Sequence, residues 1–246
     1  MSDQNVSSAP IANRLLAALP AREQKRLLSK LTEVPITYTE SIYQPGDIIS
    51  HVYFPLSGII SLLAAVETHS TLEVGVVGNE GIMGLSVFLG VETSVSQAVV
   101  QGTGTAMRMK TADFRKECAK NGALARLLQR FTHSLLIQIS QSAVCYRFHL
   151  IEARLARWLL MTHDRMKQNE FKLTQDFLSN MLGVRREAVN KAATVFQQKE
   201  IINYSRGNVT IIDRASLEAA ACKCYQIIRA EENSFFAQLS KTEFSA

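Results

Sequence analysis

Arg186, Glu187, Asn190 and Lys191 have side chains able to reach nucleobase edges, and their spacing of i, i+1, i+4 and i+5 sets them on one face of a helix. In the DNA major groove, arginine and lysine read guanine edges, and glutamate accepts a hydrogen bond from cytosine N4. The preceding residues supply what such a face needs to be held still. Thr174 is a good helix N-cap, and Asp176 puts negative charge in the first turn. Phe177, Leu178, Met181 and Leu182 repeat at helical spacing and predict a buried stripe. Gly183 can take the left-handed geometry that ends a helix. The stretch predicts a helix-turn-helix whose second helix opens at Arg185 and points toward DNA. The competing reading of Arg186 and Glu187 is a solvated ion pair on an ordinary surface helix.

Bulk properties bound the remaining classes. The chain has 246 residues, 47% hydrophobic and 20% charged, the profile of a globular protein with room for one large domain or two small ones. No apolar run approaches a membrane span, and Met1 to Pro10 lacks the basic start and apolar core of a secretion signal, so a cytoplasmic address is expected. Four cysteines, Cys118, Cys145, Cys222 and Cys224, fit a reducing compartment. The net charge of +5 is only mildly basic, but its distribution is informative. Between Lys30 and Arg108 there is no lysine or arginine, while Glu33, Glu40, Asp47, Glu67, Glu73, Glu80 and Glu92 all fall there.

Along the chain, residues 11–30 predict helix with a break at Pro20. From Val34 to Met109, short Ile-, Val-, Thr- and aromatic-rich runs are cut by glycine and proline, which predicts an antiparallel roll. Thr111 to Ala119 predicts a short helix with Thr111 as cap, and Ala123 to Phe148 one long helix. On it Leu124, Leu128, Phe131, Leu135, Ile139 (or Gln138) and Ser142 step by about 3.5 residues, the spacing of a coiled-coil seam. The alternatives are a helix packed on its own roll and a parallel homodimer seam; the seam is expected, with Leu127, Leu136 and Ile137 covering the roll. Leu150 to Met161 predicts another helix, and the polar stretch Thr162 to Lys172 a connector. After the helix-turn-helix, residues 201–205 and 209–212 flank Gly207-Asn208 as a hairpin wing with Arg206 at its tip. Asp213 is expected to cap one last helix reaching about Glu231, with a frayed end beyond.

With these parts in order the chain resembles the Crp/Fnr superfamily of bacterial transcription regulators. The residues carrying the likeness are Pro45-Gly46-Asp47, Gly58, Gly81-Ile82-Met83-Gly84, the segment Arg154 to Leu160, and the helix-turn-helix with its wing. The resemblance implies an α+β protein: an antiparallel, double-stranded β-roll of the cyclic-nucleotide-binding type over 11–121, a dimerisation helix over 122–150, and a winged helix-turn-helix over 151–228. It implies base readers at Arg186, Glu187 and Lys191 with Asn190 as a fourth, and phosphate contacts at Thr174, Gln175, Arg185 and Arg206. The expected partners are an inverted-repeat DNA operator, a second copy of the chain and RNA polymerase, without a membrane.

Two departures bear on cofactors. Relatives that bind cyclic AMP use a glutamate after a roll glycine and a later Arg-Ser pair; the matching positions here are Leu85 and Val95-Ser96. A roll without a cation of its own is a poor host for a buried phosphate, so no useful cyclic-AMP binding is expected. No cysteine precedes Cys118, which excludes the N-terminal iron–sulfur cluster of the redox-sensing branch. His51, His69 and His133 are the only positions open to a haem ligand and show no ligand spacing. Cys222 and Cys224 read as neighbours on one helix without the two further partners a tetrahedral metal site needs; they read as structural thiols, with metal or redox sensing as the alternative. Cys145 reads as a core thiol, or as one facing its mate across a dimer axis. No effector is thereby named and no metal expected. The alternatives to a regulator are a binding module with an idle DNA head and an enzyme on the roll, and the latter lacks clustered histidines and carboxylates.

Overall fold

The computed structural model describes residues 11–67 and 70–241. Two short helices, α1 (Arg14–Ala17) and α2 (Ala21–Leu28), part at Pro20 as the sequence predicts. Buried Asn13 caps α1 by accepting from the Leu16 amide at 3.1 Å. Its amide nitrogen donates to the Pro55 and Gly81 carbonyls at 2.9 Å each, which fixes α1 to the roll.

The roll comprises β1 (Thr32–Ile36), β2 (Ser41–Tyr43), β3 (His51–Pro55), β4 (Ile59–Glu67), β5 (Ser70–Val77), α3 (Leu85–Phe88), β6 (Gln97–Gly102), β7 (Gly104–Lys110) and α4 (Thr111–Cys118). Its strands form two antiparallel sheets, ordered β1-β7-β3 and β2-β6-β4-β5. The chain crosses between the sheets at Gly102-Thr103-Gly104. There Gly58 has φ +78°, and a Cβ on it would stand 2.4 Å from the Gly102 carbonyl oxygen, so no other residue fits. Lys110, not Thr111, occupies the cap position of α4. Thr111 opens the helix instead, and its hydroxyl donates to the Ile49 carbonyl.

The long helix α5 (Ala123–Phe148) has the ends the sequence predicts. Its first amides are satisfied from a distance: the Glu23 carboxylate accepts from Ala123 and Leu124 at 3.1 and 3.2 Å. The expected dimer seam requires correction. Leu124, Leu128 and Phe131 are buried in the roll's own core, among Val77, Ile82 and Leu85. Phe131 lies so close to Gly81 that a Cβ there would meet the ring at 2.3 Å. Leu135 and Ile139 pack over Gly75, and buried Ser142 accepts from Arg157 at 3.3 Å. The 3.5-residue spacing marks an apolar stripe, but the roll consumes that stripe. Leu136, expected to cover the roll, is 56% exposed.

Helix α6 (Ile151–Met166) runs a turn past the predicted end, and the expected connector also contains β8 (Glu170–Lys172). The head continues with α7 (Gln175–Leu182), α8 (Arg186–Gln198), β9 (Ile202–Ser205), β10 (Asn208–Ile211) and α9 (Arg214–Ala220). Strand β8 pairs with β10, so the wing is a three-stranded sheet, β8-β10-β9. Asp213 does cap α9, accepting from the Ser216 amide at 3.0 Å. The single last helix is not formed: the chain turns at Ala221-Cys222, and α10 (Lys223–Lys241) runs back along α5. Residues 232–241 therefore continue as helix rather than fray; Phe235 is buried in the roll core and Phe236 packs beside it.

Polar contacts join roll to head. Arg165 of α6 donates to Glu80 at 2.8 Å and to Glu232 of α10 at 3.3 Å, and Arg14 reaches Glu232 at 3.3 Å. Nearby, a hydrogen-bonded line runs from β5 into α6. Ser61 Oγ lies 2.8 Å from both Glu73 Oε2 and Gln101 Oε1. Gln101 Nε2 donates to Thr162 Oγ1 at 2.7 Å, and Thr162 Oγ1 donates to the Trp158 carbonyl at 3.0 Å. The lone Ser61 hydroxyl proton serves one neighbour only. A proton on Glu73 lets it donate to Ser61 and Ser61 to Gln101, so every bond in the line is made. Burial accordingly pushes the Glu73 carboxyl up to about 7, against the pull of Ser61 and the Arg157 charge. A raised folded pKa means that the native state keeps a proton the unfolded chain loses. Stability from this group therefore falls as pH rises from about 4.5 through about 7. Glu73→Gln should remove that part of the slope. Urea unfolding of both proteins across the window checks it, and parallel pH profiles would contradict it.

Candidate nucleic-acid interface

The helix-turn-helix forms because each local preference agrees with the packing. Thr174 Oγ1 accepts from the Phe177 amide at 3.1 Å and starts α7. Gly183 ends it with φ +59°, in the left-handed region, and a Cβ there would also meet Leu72 of the roll at 2.6 Å. Leu178, Met181 and Leu182 of α7 bury against Val189, Ala192, Ala193 and Phe196 of α8 and Leu155, Trp158 and Leu159 of α6. Phe177, expected in the buried stripe, is only half-buried and rests on Tyr38 of the roll, ring centroids 5.3 Å apart.

With its apolar side spent on this core, α8 turns Arg186, Glu187, Asn190 and Lys191 outward, all exposed, and Arg185 beside them. Arg186 Nη1 sits 3.4 Å from Asp176, and its Nε donates to Gln175 Oε1 at 3.0 Å. Gln175 Nε2 donates onward to Asn190 at 3.2 Å. The ion pair weighed for Arg186 thus exists, but with Asp176 rather than Glu187. Exposed pairs of this kind are worth about 0–1 kcal/mol, so DNA can displace them. Among the described residues the side chains of Glu187 and Lys191 have no hydrogen-bond or ion-pair partner.

Thr174 and Gln175 stand at the start of α7, Thr174 exposed and Gln175 half-buried, beside the positive end of that helix. Arg206 occupies the wing tip at φ +50° beside Gly207 at +78°, both in the left-handed region that a two-residue hairpin turn requires. Arginines that the sequence does not separate from these serve the fold. Arg154 donates to the Leu182 carbonyl at the end of α7, and Arg214 binds Asp164 at 2.7 Å and Glu218 at 3.0 Å. The approach of Tyr38 to the head, with Lys172 at 5.3 Å from its ring, has no sequence signal because it joins residues far apart in the chain.

The roll shows what its departures mean physically. Leu85 is buried in the core, and Val95 lies exposed on the outside. His51 is on the roll surface, where Ser50 Oγ lies 3.0 Å from its Nδ1, and His133 faces Glu231 at 3.7 Å. His69 lies outside the described residues. The reading of Cys222 and Cys224 as lacking partners is overturned. Cys145 Sγ lies 3.5 Å from Cys222 Sγ, and Cys224 Sγ lies 3.7 Å from His149 Nδ1. Cys145 is buried in its own chain, so it does not face a mate across an axis.

Residues 153–220 match the Crp-like helix-turn-helix domain family, and residues 36–121 match the cyclic nucleotide-binding domain family, together more than half of the 246 residues. The chain belongs to the Crp/Fnr superfamily. No curated protein matches it by sequence. Solved structures with the same fold include FixK2 from Bradyrhizobium japonicum, 16% identical, with a TM-score of 0.65 over 78% of this chain and 98% of that one. A Crp/Fnr-family transcriptional regulator of Thermus thermophilus is 20% identical, with a TM-score of 0.58 over 77% and 98%. The cyclic-di-GMP-responsive global regulator CLP of Xanthomonas campestris is 15% identical, with a TM-score of 0.60 over 78% and 99%. This Crp/Fnr protein is a transcription regulator with a DNA-binding helix-turn-helix. No helix among its described residues is long and apolar enough to cross a membrane. Arg206→Ala should weaken binding to all duplex sequences alike and lower the salt slope by about one. Titrations at several salt concentrations measure this, and an effect confined to one sequence would refute a phosphate role.

Proposed function

We propose that the protein is a homodimer that reads an inverted-repeat DNA site with α8 and whose roll answers to something other than cyclic AMP. The observation carrying this is the outward face of α8, where Arg186, Glu187, Asn190 and Lys191 stand together while the opposite face is buried. Arg186, Glu187 and Lys191 contact base edges, with Asn190 as a fourth. Thr174, Gln175, Arg185 and Arg206 hold phosphates and set the register. Glu187→Ala should relax preference at one position of each half-site, costing about 1–3 kcal/mol of discrimination. Selection from random duplexes before and after the change tests the reading. Unchanged selectivity at every position would remove Glu187 as a reader, and failure of the wild type to select any sequence would favour an idle DNA head.

The dimer contact moves to the side of α5 that the roll leaves open. Leu136, Ser140, Ala143 and Arg147 lie there at steps of four, three and four residues, all exposed, flanked by Val144 and by Phe148 at 73% exposure. That is a seven-residue repeat, the period of a coiled-coil seam. Two heads joined this way would meet half-sites about one helical turn apart. Leu136→Glu should give a folded monomer with weakened operator binding, whereas Leu128→Ala should instead lower stability by about 2–5 kcal/mol. Light scattering and denaturation separate the two; a dimer surviving Leu136→Glu would exclude this seam.

The reading of the roll rests on charge. The cyclic-AMP anchor positions carry Leu85, Val95 and Ser96, and no lysine or arginine lies between Lys30 and Arg108. A neutral or apolar effector, or a partner protein, suits this lining better than a phosphate. A groove of about 610 Å³ between roll and head, lined by Tyr38, Gln101, Trp158, Thr162 and Met166 with Glu170 and Lys172 at the head side, has the size of a small-ligand site. RNA polymerase is the downstream partner, in the cytoplasm where the chromosome lies.

A further inference from the structure

We infer that Cys145, His149, Cys222 and Cys224 form a zinc site that ties the end of α5 to the bend between α9 and α10. The four ligand atoms, three Sγ and one imidazole nitrogen, all lie within 4.8 Å of one another. Two sulfurs at about 2.3 Å from a tetrahedral zinc are roughly 3.8 Å apart, and a sulfur and a nitrogen slightly less. The observed 3.5 Å between Cys145 and Cys222 and 3.7 Å between Cys224 and His149 Nδ1 fall near those spans. At 3.5 Å the Cys145 and Cys222 sulfurs are not bonded to each other, and all three cysteines are free thiols. Four ligands with no carboxylate among them, three of them soft sulfurs, select zinc over hard cations.

Local structure brings them together. Cys145 and His149 are four residues apart at the end of α5, hence on one face; His149 is the residue that ends the helix. Residues two apart on a continuous helix point to opposite sides. Cys222 precedes the first turn of α10, and the chain is extended at Ala221, which lets Cys222 and Cys224 converge. All three thiols are buried in a cluster of their own, separate from the two main cores.

The surroundings fit the charge of such a site. Three thiolates and one zinc ion leave one net negative charge. Arg157 is 2% exposed, forms no salt bridge among the described residues, and has an Nε without a partner. Binding would release the thiol protons to solvent and leave His149 neutral.

The site sits where α5 ends and α6 begins, the joint from which the DNA-reading head hangs. It also anchors the start of α10, whose far end enters the roll core. Metal analysis of full-length protein, purified under reducing conditions without chelator, should find about one zinc per chain. Cobalt added to the stripped protein should give the thiolate-to-metal charge-transfer band of a tetrahedral sulfur-rich site. Cys222→Ser and Cys224→Ser should each abolish both signals, and Cys118→Ser, outside the cluster, should leave them intact. Chelation of the wild type should lower its melting temperature. Wild-type protein that is folded and reduced but takes up neither zinc nor cobalt would overturn the proposal. So would metal retained at full stoichiometry in folded Cys222→Ser and Cys224→Ser variants.

Discussion

Arg165 carries a full charge sealed from water, and the rest of the architecture follows from how that charge is satisfied. Its guanidinium is met by Glu80 from the roll and Glu232 from α10. Separating either partner would leave an ion in a low-dielectric interior, a cost of several kcal/mol. Roll, head and C-terminal helix are thereby held in one relative arrangement. Arg14 extends the same cluster to α1 by pairing with Glu232 and lying over the ring of Phe236. Charge clusters of this sort define an arrangement more than they stabilise it, since an apolar cluster of equal volume would serve stability as well.

A second line of contact, from Glu73 through Ser61, Gln101 and Thr162 to the Trp158 carbonyl, crosses the same boundary with a different chemistry. The first line depends on opposite charges, the second on one proton. Together with Tyr38 against Phe177 and Leu72 against Gly183, they make the roll and the helix-turn-helix mechanically continuous. A regulator that transmits a signal from roll to head needs two arrangements of such a boundary whose balance an effector can bias. These contacts specify one of them.

The chemistry of α8 depends on what surrounds it. A helix becomes a reader when its apolar side is fully used by its own domain and its polar side is left open. Val189, Ala192, Ala193 and Phe196 accomplish the first, and the short Thr174-capped α7 with its Gly183 stop sets the angle. The Arg186, Gln175 and Asn190 contacts link side chains on this open face by exposed hydrogen bonds of small energy.

Local chemistry determined the strand-and-turn rhythm of the roll, the ends of α5, and the cap, stop and polar face of the helix-turn-helix. Each rests on residues within a few positions of one another, and propensity and periodicity act over that range. Tertiary structure decided which side of α5 is buried, because a stripe from Leu124 to Ser142 looks the same whether a partner or the chain's own roll covers it. It decided that α10 turns back at Cys222 and enters the roll core, a choice made by Phe235 finding an apolar site far away in sequence. It also gathered Cys145 and His149 to Cys222 and Cys224 across more than seventy residues. Convergence of that kind is a property of packing, which no spacing along the chain encodes.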